Sequence, residues 1–496
     1  MVFVPSDVIH IIVTIIRDTP RPKKKRSVFR NEERAKVAQY ATVSRQWQAV
    51  VERVIWQRQL RIGYAGGWLA QLKTFTSGTP DRRARVGNIR RLPWEPEINW
   101  DHLREKAVAD GADNAQMFSE RHDLQCQASL RDLFELLYTW KDRQANVELS
   151  LRFSGHTYAR GEDDVRNITQ EQWESLDYYQ LWKTGNAIHQ VYLTAEDIQK
   201  LPRLPQVTSL ILLDIDTTIL RPLSFFHILG RLPHVRHISG GEGGSLQPRA
   251  LRVLTDQRQE VADHILILPE SAETFTFAIT HNRELSLNPA RDAANYLSPR
   301  GLDEFSISCR SLSLRLRELR LDNVRVSKSL FWPTIEEKVD PTYLAWPKLE
   351  VLKVLEVPPN TPDGEWILDN NHETDWEGEL DDDSYDEWEY DLDYYARRGI
   401  LKNDPVNQLY ESIGLAVQRM PRLRSLKHSF RGAVGESGSH EWLRFKRDLS
   451  TGMVTLQVNT EWGLKLEEKV ICAWGLKDEK AKEFREKWSV SLERWP

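Results

Sequence analysis

The sequence predicts a mixed α/β protein, and three observations carry that expectation. A seven-residue phrase recurs: "LPQVTSL" from Leu204, "LPHVRHI" from Leu232, "WPKLEVL" from Trp346 and "MPRLRSL" from Met420. Each has proline after an apolar residue, which ends a helix because proline lacks an N–H and clashes with the preceding turn; the apolar positions after it begin a strand. Stretches of helical period precede strand-like stretches, as in "PLSFFHILGR" (222–231), "VNQLYESIGLAVQRM" (406–420), and "DLFELLYTW" (132–140) ahead of "VELSLRF". Finally, the spacing apolar-x-x-apolar-x-apolar repeats in Ile188, Val191, Leu193; Val207, Leu210, Leu212; Leu316, Leu319, Leu321; and Leu349, Leu352, Val354.

That spacing resembles the strand portion of a leucine-rich repeat, and one such unit cannot bury its own apolar face, so the resemblance implies units stacked into a curved solenoid. Strand starts lie about 19 to more than 70 residues apart and no asparagine ladder is visible, so the array is irregular. An unrelated α/β domain with a parallel sheet uses the same alternation. The glycine-rich "SGGEGGS" (239–245) reads as a loop after a strand at Val235. Past the last phrase, "GMVTLQVNTEW" alternates as a strand, "KVICAWGL" resembles a second strand, and "DEKAKEFREKW" reads as a closing helix that caps the array. Residues 361–397 form an acidic insertion: 363–395 hold fifteen carboxylates with three Trp and four Tyr, too charged for a core of their own.

Bulk properties narrow the function classes. The chain has 496 residues and a net charge of -5, with a pI near 6.3, which argues against wholesale nucleic-acid binding. Basic runs at 21–26 ("RPKKKR") and 82–91 ("RRARVGNIRR") contrast with the acidic insertion. Cys126, Cys309 and Cys472 are far apart and form no CxxC pair, so neither a disulfide framework nor a zinc module is expected. "VIHIIVTII" (8–16) is too short to span a bilayer and has no basic segment before it, so no membrane is expected, and the localisation read from the sequence is cytoplasmic or nuclear.

The amino-terminal segment opens with "VPSDVIHIIVTIIRD", where Ser6 or Asp7 caps a helix carrying Val8, Ile9, Ile12, Ile15 and Ile16. A second helix runs from about Glu33 through "ATVSRQWQAVVERVIWQRQL" (41–60), with "QRQLRI" suggesting a first strand. On that helix Val43, Trp47, Val50, Val51 and Val54 share one arc while Trp56 and Leu60 point roughly opposite, so one apolar face needs a partner. Val4-Pro5, the Ile-rich helix, Val43-Ser44-Arg45-x-Trp47 and Ile55-Trp56 together resemble an F-box. The closest pattern is the fungal type in which an F-box-like segment leads into degenerate leucine-rich repeats. The expected architecture is a short all-helical F-box-like domain over 1–62 followed by an irregular leucine-rich-repeat solenoid over 63–496. The resemblance implies that Val4, Pro5, Val8, Ile9, Ile12, Val43, Trp47, Val51, Ile55 and Trp56 include contacts to a Skp1-like adaptor, and through it to a cullin. A ubiquitin-ligase substrate receptor follows; the alternative is a leucine-rich-repeat scaffold that engages no ligase.

No phosphate loop, HExxH, GxSxG or dinucleotide turn occurs, so no catalytic site, metal or cofactor is expected and the chain is read as no enzyme. His237 and His264 read as structural residues beside strands. In a leucine-rich strand the residue between the last two apolar positions faces the concave surface, which aligns Tyr192, Ile211, Ser239, Arg320, Lys353 and Lys427. The basic half of that row suits an acidic or phosphorylated protein substrate, for which Tyr192, Arg320, Lys353 and Lys427 are the candidate contacts. The acidic stretch 363–395 has the charge to compete for the same stripe.

Overall fold

The computed structural model describes residues 9, 47–48, 50–51, 68–80, 83, 86–96, 98, 115–142, 146–153, 191–213, 220–242, 251–279, 295–358, 360–365, 367–369, 400–430, 442–459 and 464–492. The protein is mixed α/β and divides into two compact units. The first comprises Met1–Arg152, Ala195–Leu213 and Arg231–Val235; the second comprises Phe153–Thr194, Asp214–Gly230 and Arg236–Pro496.

In the first unit, strands β1 (Arg91–Trp94), β2 (Val147–Leu151) and β3 (Val207–Leu212) lie parallel in that order, with Leu92 opposite Leu149 and Leu149 opposite Leu210. Helix α1 spans Trp68–Thr76, α2 spans Ala115–Tyr138 and α3 spans Ala195–Gln199. The expected helix before "VELSLRF" is α2, longer than its "DLFELLYTW" end suggests. His122, Cys126, Leu130, Leu133, Phe134 and Leu137 form its buried stripe at helical spacing. Gln206 of the first Pro-led phrase donates to the Leu137 carbonyl at 2.7 Å, which fixes strand to helix end. The expected strand at "QRQLRI" lies outside the described residues, and β1 comes later, starting at Arg91, the last residue of the basic run 82–91.

In the second unit β4 (His237–Glu242), β5 (Thr274–Ile279), β6 (Glu318–Asp322), β7 (Val351–Val357) and β10 (Ser425–Phe430) form a parallel array. Strands β11 (Trp442–Arg447), β12 (Val454–Asn459) and β13 (Ser489–Leu492) continue it antiparallel. Between β7 and β10 the short strands β8 (Leu368–Asp369) and β9 (Ile400–Leu401) pair antiparallel at the neck of the acidic insertion. The helices are α4 (Pro222–Leu229), α5 (Leu251–Ile265), α6 (Glu304–Ser313), α7 (Asn403–Val417), α8 (Glu468–Ala473) and α9 (Asp478–Lys487). Pro222 opens α4 at its first turn, and Asp303 caps α6 by accepting from the Ser306 N–H.

One sheet face is an apolar layer. Ile238, Phe275, Leu319, Leu352, Leu426, Phe445, Leu456 and Val490 stand opposite one another strand by strand, all buried. The next row runs Gly240, Phe277, Leu321, Val354, His428, Leu443 and Val458. Helices cover this face: Phe277 meets Phe305 of α6 at 5.9 Å between ring centres, and His428 meets Tyr410 of α7 at 6.4 Å. Phe445 meets Trp474, just past α8, at 6.2 Å.

Several expectations need correction. The "SGG" of "SGGEGGS" belongs to β4, not to a loop after a strand at Val235. Gly240 is glycine because a Cβ there would strike the Phe225 ring of α4. "KVICAWGL" forms α8 rather than a strand: Val470, Ile471, Ala473 and Trp474 are buried while Cys472 is exposed, a helical and not an alternating pattern. His264 lies in α5, where its Nδ1 is 2.8 Å from the Glu260 carbonyl, and not beside a strand. Val191 makes only a single parallel bridge to Leu220, since Arg221 N–H and Ser224 Oγ take over the adjoining hydrogen bonds to Val191 and Leu193.

Close packing of α7 on α8 yields a test. A Cβ on Gly414 would stand 2.9 Å from Trp474 Cδ1 and 3.0 Å from the Ala473 carbonyl carbon and oxygen. The backbone of α8 cannot give way as a side chain tip can, so Gly414→Ala is expected to destabilise the protein by about 1–3 kcal/mol in chemical denaturation, despite alanine's better helix propensity.

A basic face on the carboxy-terminal strands

The opposite face of the second unit is polar and half-exposed. Ser239, Thr276, Arg320, Lys353, Lys427, Arg444, Gln457 and Ser489 stand in register across eight strands. Arg320, Lys353 and Lys427 are thus immediate cross-strand neighbours, and Ser239 aligns with them through Thr276. Ile211 belongs to the first unit, where it stands opposite Ser150 of β2. Tyr192 lies outside the named strands, with the Arg221 guanidinium 5.0 Å from its ring centre and Arg221 itself paired to Glu260.

Charges on this face are unevenly compensated. Arg320 pairs with Asp322 at 2.6 Å and Lys353 with Glu318 at 3.6 Å, both partners on β6. From β10 to β13 the half-exposed or exposed positions on this face are Ser425, Lys427, Trp442, Arg444, Lys446, Thr455, Gln457, Asn459, Ser489 and Ser491, with no carboxylate among them. Among the described residues Lys427, Arg444 and Lys446 have no ion-pair partner. Arg444 instead lies over the Trp442 ring at 5.1 Å. Sequence reasoning missed Trp442, Arg444 and Lys446, although "WLRFKR" alternates in the way that would have revealed a strand with one basic face.

A different row, at the residue just before each strand, shows what compensated rungs look like. Arg236, Glu273, Arg317, Glu350 and Arg424 alternate in sign, with ion pairs of 3.9, 3.6, 2.9 and 3.6 Å along the series. Their backbones also bond in sequence, from Glu273 N–H to the Arg236 carbonyl through Arg424 N–H to the Glu350 carbonyl.

Of the expected adaptor contacts, Ile9, Trp47 and Val51 fall among the described residues. Each is helical; Ile9 and Val51 are fully buried and Trp47 is partly exposed. Val4, Pro5, Val8, Ile12, Val43, Ile55 and Trp56 lie outside the described residues, as does 370–399 of the acidic insertion.

The buried titratable groups serve packing. Burial pushes the thiols of Cys126 and Cys309 far up, which keeps them protonated and unreactive. Arg258 holds Asp303 at 2.8 Å and the Arg325 carbonyl at 2.8 Å, tying α5 to α6 and to the chain after β6. Among the described residues no group of three or more His, Cys, Asp or Glu could hold a metal ion, and no helix is long and apolar enough to cross a membrane. No protein-family model, curated protein or solved structure matches the chain.

Proposed function

We propose that the chain is an F-box-type substrate-recognition subunit of a Skp1-cullin ubiquitin ligase, with its repeat-like second unit holding a protein substrate. The observation that supports substrate binding most is the register of Arg320, Lys353 and Lys427, which sets three half-exposed cations side by side. An acidic or phosphorylated substrate segment suits that row. The adaptor end rests on the F-box-like sequence pattern, with Trp47 as its partly exposed element. The chain's contribution to ubiquitin transfer is proximity, with chemistry supplied by other subunits. The cytoplasm and nucleus are where this reading puts it.

The complete burial of Ile9 and Val51 favours a second reading, in which the helices pack only within the chain and the protein is an interaction scaffold. Co-purification with a Skp1-type adaptor separates the two. Under the ligase reading the adaptor is retained and Trp47→Ala lowers its recovery by at least about tenfold, as expected for an aromatic contact worth ~2 kcal/mol, with an unchanged circular dichroism spectrum. No adaptor retained by the folded wild-type chain would establish the scaffold reading instead.

A further inference from the structure

The cationic rungs of β7, β10 and β11 are unusual within their own molecule. Like charges directly opposite on neighbouring strands destabilise a sheet. The row before the strands avoids this by alternating Arg and Glu, yet Lys353, Lys427 and Arg444 follow one another directly, with Lys446 one pleat away on the same face. Among the described residues only Lys353 of these has a carboxylate partner, Glu318. Such a cluster is stabilised by an anion laid over it.

The form of the cluster indicates which anion. Its cations stand singly on successive rungs about 5 Å apart, and the strand N–H groups around them are committed to the ladder, so no backbone donors converge on one phosphate. Among the described residues of this face the one indole, Trp442, already has the Arg444 guanidinium over its ring, which disfavours stacking of bases there. Separate carboxylates along an extended polypeptide fit this face best.

The chain supplies such a polypeptide. Residues 363–395 carry fifteen carboxylates and neither Lys nor Arg; outside them 58 carboxylates face 68 Lys and Arg, a balance of +10. The segment is tethered between two strands of the face, β7 and β10, in the chain. Leu368–Asp369 pairs with Ile400–Leu401, and the Lys402 N–H bonds the Ile367 carbonyl at 2.8 Å, so both ends of 370–399 are held together in the connection from β7 to β10. Thirty residues, out and back, reach up to ~50 Å, and Lys353 precedes the neck at Leu368 by fifteen residues, which span at most ~50 Å even fully extended. Tethering at this range gives an effective concentration on the order of millimolar, so even weak ion pairing keeps the segment in place.

We infer that the acidic segment 370–399 is the resident occupant of the basic face formed by Lys353, Lys427, Arg444 and Lys446. It occupies the face in cis, and any substrate of that face competes with it. This inference does not depend on the adaptor or on ubiquitin transfer.

Zero-length carbodiimide cross-linking of the full chain, followed by peptide mapping, tests it. The expected result is Lys427 and Lys446 joined to carboxylates of 373–393 within monomeric protein, with yields falling at least fivefold between about 0.05 and 0.5 M salt. A full-length variant with the carboxylates of 373–393 changed to amides should lose those links and bind a synthetic 363–395 peptide in trans, at least fivefold more weakly when Arg444→Gln is added. Links from Lys427 and Lys446 no more frequent than those from Lys482 of α9 would overturn the inference. So would links found only between two molecules, which assign the face to a second copy. Capture of a single-stranded oligonucleotide by the unaltered chain, abolished by Lys427→Gln, would overturn it in favour of nucleic acid.

Discussion

Replacing His428 with leucine is expected to remove a large acid-sensitive component of stability, and to raise stability slightly at neutral pH. His428 occupies an apolar position of β10, between Val354 of β7 and Leu443 of β11, and is fully buried. Phe430 packs on its ring at 4.7 Å and neither ring nitrogen has a hydrogen-bond partner. Burial lowers its pKa from 6.5 to about 3. Above pH 6.5 both folded and unfolded states hold the imidazole neutral, and the shift contributes nothing. As pH falls from 6.5 towards about 3, the unfolded chain binds a proton that the folded chain refuses, at ~1.4 kcal/mol per pH unit. The accumulated loss approaches roughly 4–5 kcal/mol and levels off below the folded pKa. Urea unfolding of wild type and His428→Leu from pH 7 to pH 4 isolates the effect as a difference, since other groups titrate in both. A difference that does not grow with falling pH would show that the ring is reached by water or by a hydrogen-bond partner. At pH 7 leucine removes an unpaired buried N–H, with a gain of about 1 kcal/mol set against an imperfect fit of shape.

His428 also illustrates how far the pattern could be read before the fold was seen. The strands with clear apolar-x-x-apolar-x-apolar spacing, β3, β6 and β7, form where that spacing places them, because period-2 burial against helices leaves few ways to satisfy it. In β10 the third apolar position is filled by His428, so the same unit was visible only through its proline and Leu423 and Leu426. β4 was hidden for a related reason: its glycines, which argue locally for a loop, are required by the ring of Phe225 arriving from α4. Tertiary approach of that kind has no local signature. Register posed a further limit. The cations Arg320, Lys353 and Lys427 could be aligned from spacing, but the neutralising Glu318 and Asp322, and the addition of Arg444 and Lys446, depend on which strands neighbour which and in what direction.

The connection from β6 to β7 has no α-helix; instead it winds through three 3-10 turns at Lys328–Leu330, Ile335–Glu337 and Pro341–Tyr343. A buried ion pair holds it. Arg310 of α6 meets Glu337 through both guanidinium arms, at 3.3 and 2.5 Å, with side chains only 4% and 2% exposed. Arg310 also donates to the Ser329 carbonyl at 2.7 Å, and Glu337 accepts the Thr334 N–H at 2.9 Å. Arg310→Ala leaves a buried carboxylate without its counter-charge, and is expected to cost about 3–5 kcal/mol of global stability. Glu337→Ala should cost a similar amount by stranding the guanidinium. The pair should not be worth the sum of these losses, because each single change adds the penalty of an uncompensated charge. Arg310→Met combined with Glu337→Leu is therefore expected to lie within about 2 kcal/mol of wild type, although both ions are gone. A double variant as unstable as the two singles added together would contradict this. It would mean that the bonds to Ser329 and Thr334, rather than charge compensation, hold the turns against α6. Leu330, Phe331 and Leu344 anchor the turns on either side by burying apolar surface, whereas Ile335 beside Glu337 is 92% exposed, so the middle turn relies on the ion pair more than its neighbours do.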